Sequence, residues 1–194
     1  MPKPAILLVH GFAGSPYEYQ PIIRYLRRCG VNTFHQFSYR QNLGTVPLSA
    51  IAASLQHYAG LLPKERNLVT IGLSQGGIIA AYWLEFLGGK KYCRTCITVC
   101  SPFHGSWLSY LLPLPGLVDL RPGSSLLSSL RQAMATSSVR YVGLWNPFDL
   151  FVFPGWSGKC AGQQFSRAVP ALSHPLTFWM PLTIRIVCKE LTSH

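Results

Sequence analysis

The sequence predicts an α/β fold: a mostly parallel central sheet with helices on both faces, in a single domain spanning residues 1–194. Three observations predict it. Short apolar runs alternate with segments of helical period, the pattern of parallel strands joined by right-handed helical crossovers. One strand-to-helix junction carries a Gly-x-Ser-x-Gly turn. And 194 residues with 48% hydrophobic and 12% charged residues form a compact chain, long enough to bury roughly 70% of its unfolded surface.

The elements follow in order. Ala5–Val9 is uninterruptedly apolar and reads as a buried strand. A helix around Tyr19–Cys29 places Ile22, Ile23 and Leu26 on one face, and Val31–Phe37 reads as the next strand, with Tyr39-Arg40 opening a loop. A helix over Ser49–Leu61 brings Ile51, Leu55 and Tyr58 together at helical spacing. Leu68–Ile71 is a strand, and the helix after it stops at Gly88-Gly89. Ile97–Cys100 is another strand, with Cys93-x-x-Cys96 just before it. Residues 107–135 interrupt the alternation with an apolar run, Trp107 to Val118, and form a candidate lid-like segment over the strands' C-terminal ends. Val139–Trp145 and Arg167–Pro170 complete the strands.

The turn Gly72-Leu73-Ser74-Gln75-Gly76 lies between a β-branched strand and the small-residue run Gly77-Ile78-Ile79-Ala80-Ala81. In that context it reads as a nucleophile elbow: a sharp turn lifts the Ser74 hydroxyl above the sheet, and the glycines let strand and helix pass closely. Ser74 is the candidate nucleophile. Such chemistry also needs two backbone N–H groups aimed at a developing oxyanion. One is assigned to Gln75. The other is assigned to Phe12, in the loop His10-Gly11-Phe12-Ala13-Gly14-Ser15 that follows the first strand. His10 is read as a structural residue that fixes this loop.

A serine nucleophile requires a histidine base and usually a carboxylate to orient it. The chain offers six acidic residues and six histidines. In α/β-hydrolases, whose elbow this one resembles, the acid and then the histidine follow the serine. That order leaves Glu85, Asp119, Asp149 and Glu190 against His104, His174 and His194. Glu85 lies three turns along the helix after the elbow, and Glu190 has only His194 after it. Asp149 follows a strand at its C-terminal end, where open α/β sheets build sites. His174 follows the next strand in the same way. Asp149 and His174 are the assigned acid and base, with Asp119 the runner-up acid.

The matching residues make the chain similar to the α/β-hydrolase superfamily, and within it to small bacterial-type lipases and esterases. They are His10-Gly11-Phe12, Gly72-Leu73-Ser74-Gln75-Gly76-Gly77, Ser101-Pro102-Phe103-His104-Gly105-Ser106, Asp119–Leu127, Asp149–Pro154 and Leu172-Ser173-His174. The resemblance spans residues 5 to about 180. It implies an α/β-hydrolase fold with a minimal cap or none, and cleavage of carboxylic esters through a Ser-His-Asp triad and an acyl-enzyme. Thioesters or amides would use the same machinery, and a catalytically silent binding module is the alternative. Phe103 departs from the commonest pattern, so no role is carried over to His104.

Charge and cysteines narrow the setting. Seventeen Lys and Arg against six Asp and Glu give a net charge of +11. The basic residues are scattered (Arg24, Arg27, Arg28; Lys64, Arg66; Lys90, Lys91, Arg94) with no nucleic-acid motif, which argues against nucleic acid. A basic, apolar-rich enzyme fits peripheral contact with an anionic membrane surface better. The substrate expected is an ester with an apolar acyl chain, taken without a cofactor or metal. The aromatics Trp145, Phe148, Phe151, Phe153 and Trp156 around Asp149 are expected to be mostly core, with some forming an apolar rim. Six cysteines without a second Cys-x-x-Cys pair read as mostly reduced, buried thiols. No leader is visible, so a cytoplasmic location is expected, with secretion open if a leader has been removed.

Overall fold

Along the first strand, β1 (Ala5–Val9), successive side chains feed two different cores: Ala5, Leu7 and Val9 enter one cluster and Ile6 and Leu8 the other. Alternation across a strand explains the division, and burial on both faces explains why the run carries no polar residue. In the computed structural model, which describes residues 3–40, 43–63, 67–160 and 165–192, the chain continues as α1 (Gln20–Arg28), β2 (Phe34–Phe37), α2 (Leu48–Gly60), β3 (Leu68–Leu73), α3 (Gln75–Phe86), β4 (Cys93–Val99), α4 (Pro115–Asp119), α5 (Ser125–Ala135), β5 (Arg140–Trp145), β6 (Phe165–Ala168), α6 (His174–Trp179) and α7 (Pro181–Thr192). Lys64, Arg66 and His194 lie outside the described residues.

The six strands form one sheet in the order β2-β1-β3-β4-β5-β6, and every pairing is parallel. Helices α2, α3 and α5 cover one face through Leu48, Ile51 and Leu55, Ile78, Ile79 and Trp83, and Leu127, Leu130 and Met134. Helices α1, α6 and α7 cover the other through Ile22, Ile23 and Leu26, Phe178, and Ile184, Val187 and Leu191. Burying each such side chain fully contributes about 1.5–3 kcal/mol, so both helical layers are bound to the sheet by several anchors.

The sequence reading differs from the structure at boundaries and in helices α4, α5, α6 and α7, which it did not assign. β2 begins at Phe34 rather than Val31, and β4 begins at Cys93, so the Cys-x-x-Cys pair lies inside the strand. Cys93, Cys96, Cys100 and Cys160 are buried, Cys29 and Cys188 are half-buried, and none is bridged. Within 107–135, α5 belongs to the core, and the exposed apolar side chains are Trp107, Leu108, Tyr110, Leu111, Leu112 and Val118. No helix among the described residues is long and apolar enough to cross a membrane.

The strand order fixes where a site can form. From β1 the chain moves one way to β2 and then crosses to the opposite side for β3 and all later strands. The connections leaving the C-terminal ends of β1 and β3 therefore diverge and open a crevice. β1 and β3 are direct neighbours there, with Val9 in register with Gly72.

Candidate active site

Ser74 stands at that crevice, between β3 and α3, with φ 51° and ψ −125°. A non-glycine residue in this region is strained by about 1–3 kcal/mol, and the surroundings hold it there. Its N–H donates to Val99 O at 2.7 Å, and its own carbonyl accepts from Gly77 N–H at 3.1 Å. A side chain at Gly72 would collide with Gly77, and one at Gly77 with Ser101 and Thr98. The glycine spacing of the motif is thus the clearance that strand and helix need.

Gln75 opens α3, so its N–H belongs to the first turn, whose donors have no acceptor within the helix. The other half of the crevice is the loop after β1. A Cβ on Gly11 would sit 3.0 Å from Ser74 Cβ, which places that backbone directly beside the serine. The turn containing Phe12 is closed by Gly14 N–H donating to Gly11 O at 3.2 Å. His10 holds the loop from behind: its ring stacks on Tyr39 at 4.1 Å, Nδ1 donates to Gly11 O at 3.1 Å, and Nε2 accepts from Tyr39 N–H at 3.4 Å. The Tyr39 hydroxyl donates to His10 O at 2.8 Å. Burial lowers the pKa of His10, partly opposed by its bond to Gly11. It anchors the loop, the structural role assigned to it from the sequence.

Asp149 and His174 meet. Asp149 lies four residues beyond β5, and His174 is the first residue of α6 rather than a loop residue, with Ser173 as its N-cap. His174 Nδ1 is 2.6 Å from Asp149 Oδ2, and both side chains are buried. Asp149 Oδ1 accepts the N–H groups of Phe151 and Val152, each at 2.9 Å. Burial acts most strongly on this carboxyl and would raise its pKa. The bond to His174, the charge of that ring, Val152 N–H and Cys100 together outweigh it, so the pKa lies below the ordinary value. Because the strands are parallel, Ser74, Asp149 and His174 leave β3, β5 and β6 at the same edge of the sheet.

The other candidates have different work. Asp119 Oδ2 accepts Leu48 N–H and so caps α2. Glu85 accepts from Ser137 and Tyr141 and pairs with Lys90. Glu190 pairs with Arg140. His104 packs against Trp156 with the two rings tilted, and its backbone N–H donates to Ser157 O. Burial first, then Arg131 and Lys159, lowers its pKa.

Several supporting residues were given no role by the sequence. Asn146 donates to Ala171 O at 3.0 Å and to Thr177 Oγ1 at 3.1 Å, and accepts from Phe148 and Ala171 N–H, so it ties the acid loop to the histidine's segment. Ser106 donates to Phe151 O at 2.7 Å and accepts from Phe153 N–H, while Ser157 donates to Gly105 O. The Ser101–Ser106 segment therefore buttresses the acid loop. A hint was present in Asn146-Pro147, a turn-forming pair at a strand end.

One sequence expectation is reversed. Phe148, Phe151, Phe153 and Trp156 are each at least 50% exposed and form an apolar rim, not core. The segment from Pro147 to Trp156 lies between β5 and β6, outside any strand or α-helix, so no period sets which of its side chains face inward. Two shallow cavities, of about 300 and 410 Å³, lie along β2–α2 and around Asp119, and neither is lined by Ser74, Asp149 or His174.

Among the described residues, one cluster of His, Cys, Asp or Glu has donor atoms close enough for a metal: Cys100, Asp149 and His174, mutually within 4.8 Å. It does not fit a cation. Both Asp149 oxygens are engaged by N–H donors, and His174 Nδ1 is committed to Oδ2.

Known proteins agree with this architecture. The chain superposes on lipase B of Aspergillus fumigatus (TM-score 0.84, 16% identity, 99% of this chain and 53% of that one) and on the phospholipase PlaB of Legionella pneumophila (TM-score 0.77, 14% identity, 99% and 60%). It is also similar to the mature lipase BlEst2 of Bacillus licheniformis (TM-score 0.66, 18% identity, 98% and 92%). At these identities the likeness concerns the fold, and the chain spans about half the length of the Aspergillus lipase. No curated protein matches it in sequence. Residues 4–170 match the family described as the alpha/beta hydrolase fold, and the chain belongs to that family.

Proposed function

We propose that the protein is a serine hydrolase that cleaves carboxylic esters with an apolar acyl group. The observation that carries this reading is the 2.6 Å pair of Asp149 and His174 at the same sheet edge as Ser74 in its left-handed turn. With Nδ1–H given to Asp149, the Nε2 of His174 keeps its lone pair and serves as the base. His174 takes the Ser74 proton as Oγ attacks the ester carbonyl. The N–H groups of Gln75 and Phe12 receive the oxyanion. His174 then returns the proton to the departing alcohol, leaving an acyl-Ser74 ester. A water, deprotonated by His174, attacks the acyl carbon; the resulting tetrahedral species expels Ser74 Oγ, which regains the proton, and the carboxylic acid leaves.

The rim of Phe148, Phe151 and Phe153, with Trp107 and Leu111, supports an apolar acyl group. The same exposed side chains and the net charge of +11 support docking on an anionic membrane surface. Sedimentation with anionic and neutral vesicles, at low and high salt, tests the docking; equal, negligible binding to both at low salt refutes it. For the chemistry, a fluorophosphonate probe is applied to the purified protein. Labelling that disappears in Ser74→Ala supports the reading, and folded wild-type protein that takes no label overturns it.

A further inference from the structure

The Asp149 carboxylate has about four lone-pair positions to fill. Three are filled by the N–H groups of Phe151, Val152 and the His174 ring. The remaining side is approached by Cys100, whose Sγ lies within 4.8 Å of both the carboxylate and the His174 ring. Cys100 is 1% exposed, which leaves little room for solvent to serve that side instead.

The backbone at Cys100 points the same way. It follows β4 with φ 51°, a conformation that favours glycine, and its N–H is held by Leu144 O at 2.7 Å on the neighbouring strand β5. A side chain is kept where glycine would be less strained. The left-handed turn delivers Cβ and sulfur beside the loop that carries Asp149. Ser74, one strand over, has the same φ.

We propose that Cys100 is a positioning residue: its thiol S–H donates to the Asp149 carboxylate and holds it in the rotamer that receives His174. The proposal deepens the serine-hydrolase reading, since it rests on Asp149 acting through His174. Burial, and then the negative charge of Asp149, push the thiol pKa well up, so the sulfur keeps the proton it donates. A donor on the carboxylate also withdraws charge from Oδ2. Removing it makes Oδ2 the stronger acceptor for the ring while freeing the carboxylate to rotate. The groups facing His174 and this carboxylate are Asp149 itself, Cys100 from the end of β4, Thr177 from α6 and, at longer range, Glu18 from the segment before α1.

The test compares Cys100→Ala and Cys100→Ser with wild type. The first readout is the low-field NMR resonance of the His174 Nδ1 proton, which needs no substrate. It is expected to move downfield in Cys100→Ala and to return towards the wild-type position in Cys100→Ser, whose hydroxyl restores a donor. The second is ester hydrolysis: Cys100→Ala lowers kcat by roughly three- to tenfold with KM unchanged, as expected for one weak hydrogen bond to a charged group, and Ser recovers most of it. Cys100→Gly, which relieves the left-handed backbone, carries the same expectations as Ala should Ala not fold. A resonance that is identical in wild type and Cys100→Ala (or Cys100→Gly) overturns the proposal, as does a serine variant no closer to wild type than alanine. A resonance that moves and is rescued, in a protein that hydrolyses no ester, supports the positioning role and refutes the ester reading alone.

Discussion

Asp119 Oδ2 accepts the backbone N–H of Leu48 at 2.7 Å, so the last residue of α4 caps the first turn of a helix 71 positions earlier in the chain. Pro47, in the N-cap position, makes no side-chain cap bond of its own, and the carboxylate from α4 replaces it.

The two acids on which the sequence reading turned therefore separate by experiment. Asp119→Ala is expected to lower stability by about 1 kcal/mol, the usual worth of a helix cap, and to leave kcat nearly unchanged. Asp149→Asn is expected to keep the fold but lower kcat by about 10⁴-fold, because the His174 ring loses its preferred tautomer. Denaturant titrations and ester kinetics on both variants check this, and the opposite ranking of rates would put the acid at Asp119.

Asn146 joins the end of β5 to the segment that presents His174. Asn146→Ala strands the N–H of Ala171 and leaves Thr177 without its donor. The cost of such unmade buried bonds is about 1–3 kcal/mol each. The expected outcome is a lower unfolding free energy together with a reduced kcat, since His174 loses part of its support. Unchanged activity at full folding would show that α6 holds His174 without Asn146.

Acidification acts through His10. Its pKa in the folded protein lies below the ordinary 6.5, so just below pH 6.5 the unfolded chain binds more protons than the folded one. Stability then rises with pH across that window and is lost as the pH falls. His104, lowered for the same reason, adds to the slope. Glu18 and Asp119, whose carboxyls burial pushes up, act with the opposite sign in the carboxylate range. The measurement is best made between about pH 5.5 and 7.5, above the ordinary carboxylate values. Urea unfolding of wild type should show stability falling on acidification through this range, and His10→Asn should flatten the slope.

Acyl preference follows from the rim. Each methylene buried contributes about 0.8 kcal/mol, so a p-nitrophenyl series should show kcat/KM rising from acetyl towards octanoyl. A steady fall along the series would mean that the rim does not take the acyl chain.

The strands, the sharp turn at Ser74 and the meeting of Asp149 with His174 were readable because each rests on local pattern: an apolar run, a glycine spacing, a polar residue just past a strand. What escaped depends on register between distant segments. Cys100 looks like one more apolar residue until β4 and β5 pair and set it beside the Asp149 loop. Ser106 and Asn146 are small polar residues whose bonds run to segments 45 and 25 positions away. The aromatics around Asp149 were misjudged because a loop has no period from which to read inside and outside. Asp119 capping α2 had no local signal either.

The acid loop is held by its main chain, while Phe148 and Phe153 project their rings outward. Ser106 binds Phe151 O and Phe153 N–H, and Asn146 binds Phe148 N–H. The bonds that align Asp149 and the surfaces that would meet a substrate are thus separate parts of one short segment. Outward side chains can be exchanged for smaller, larger or polar ones without disturbing the acid. On the serine-hydrolase reading, substrate range can drift in this loop while Asp149 stays fixed.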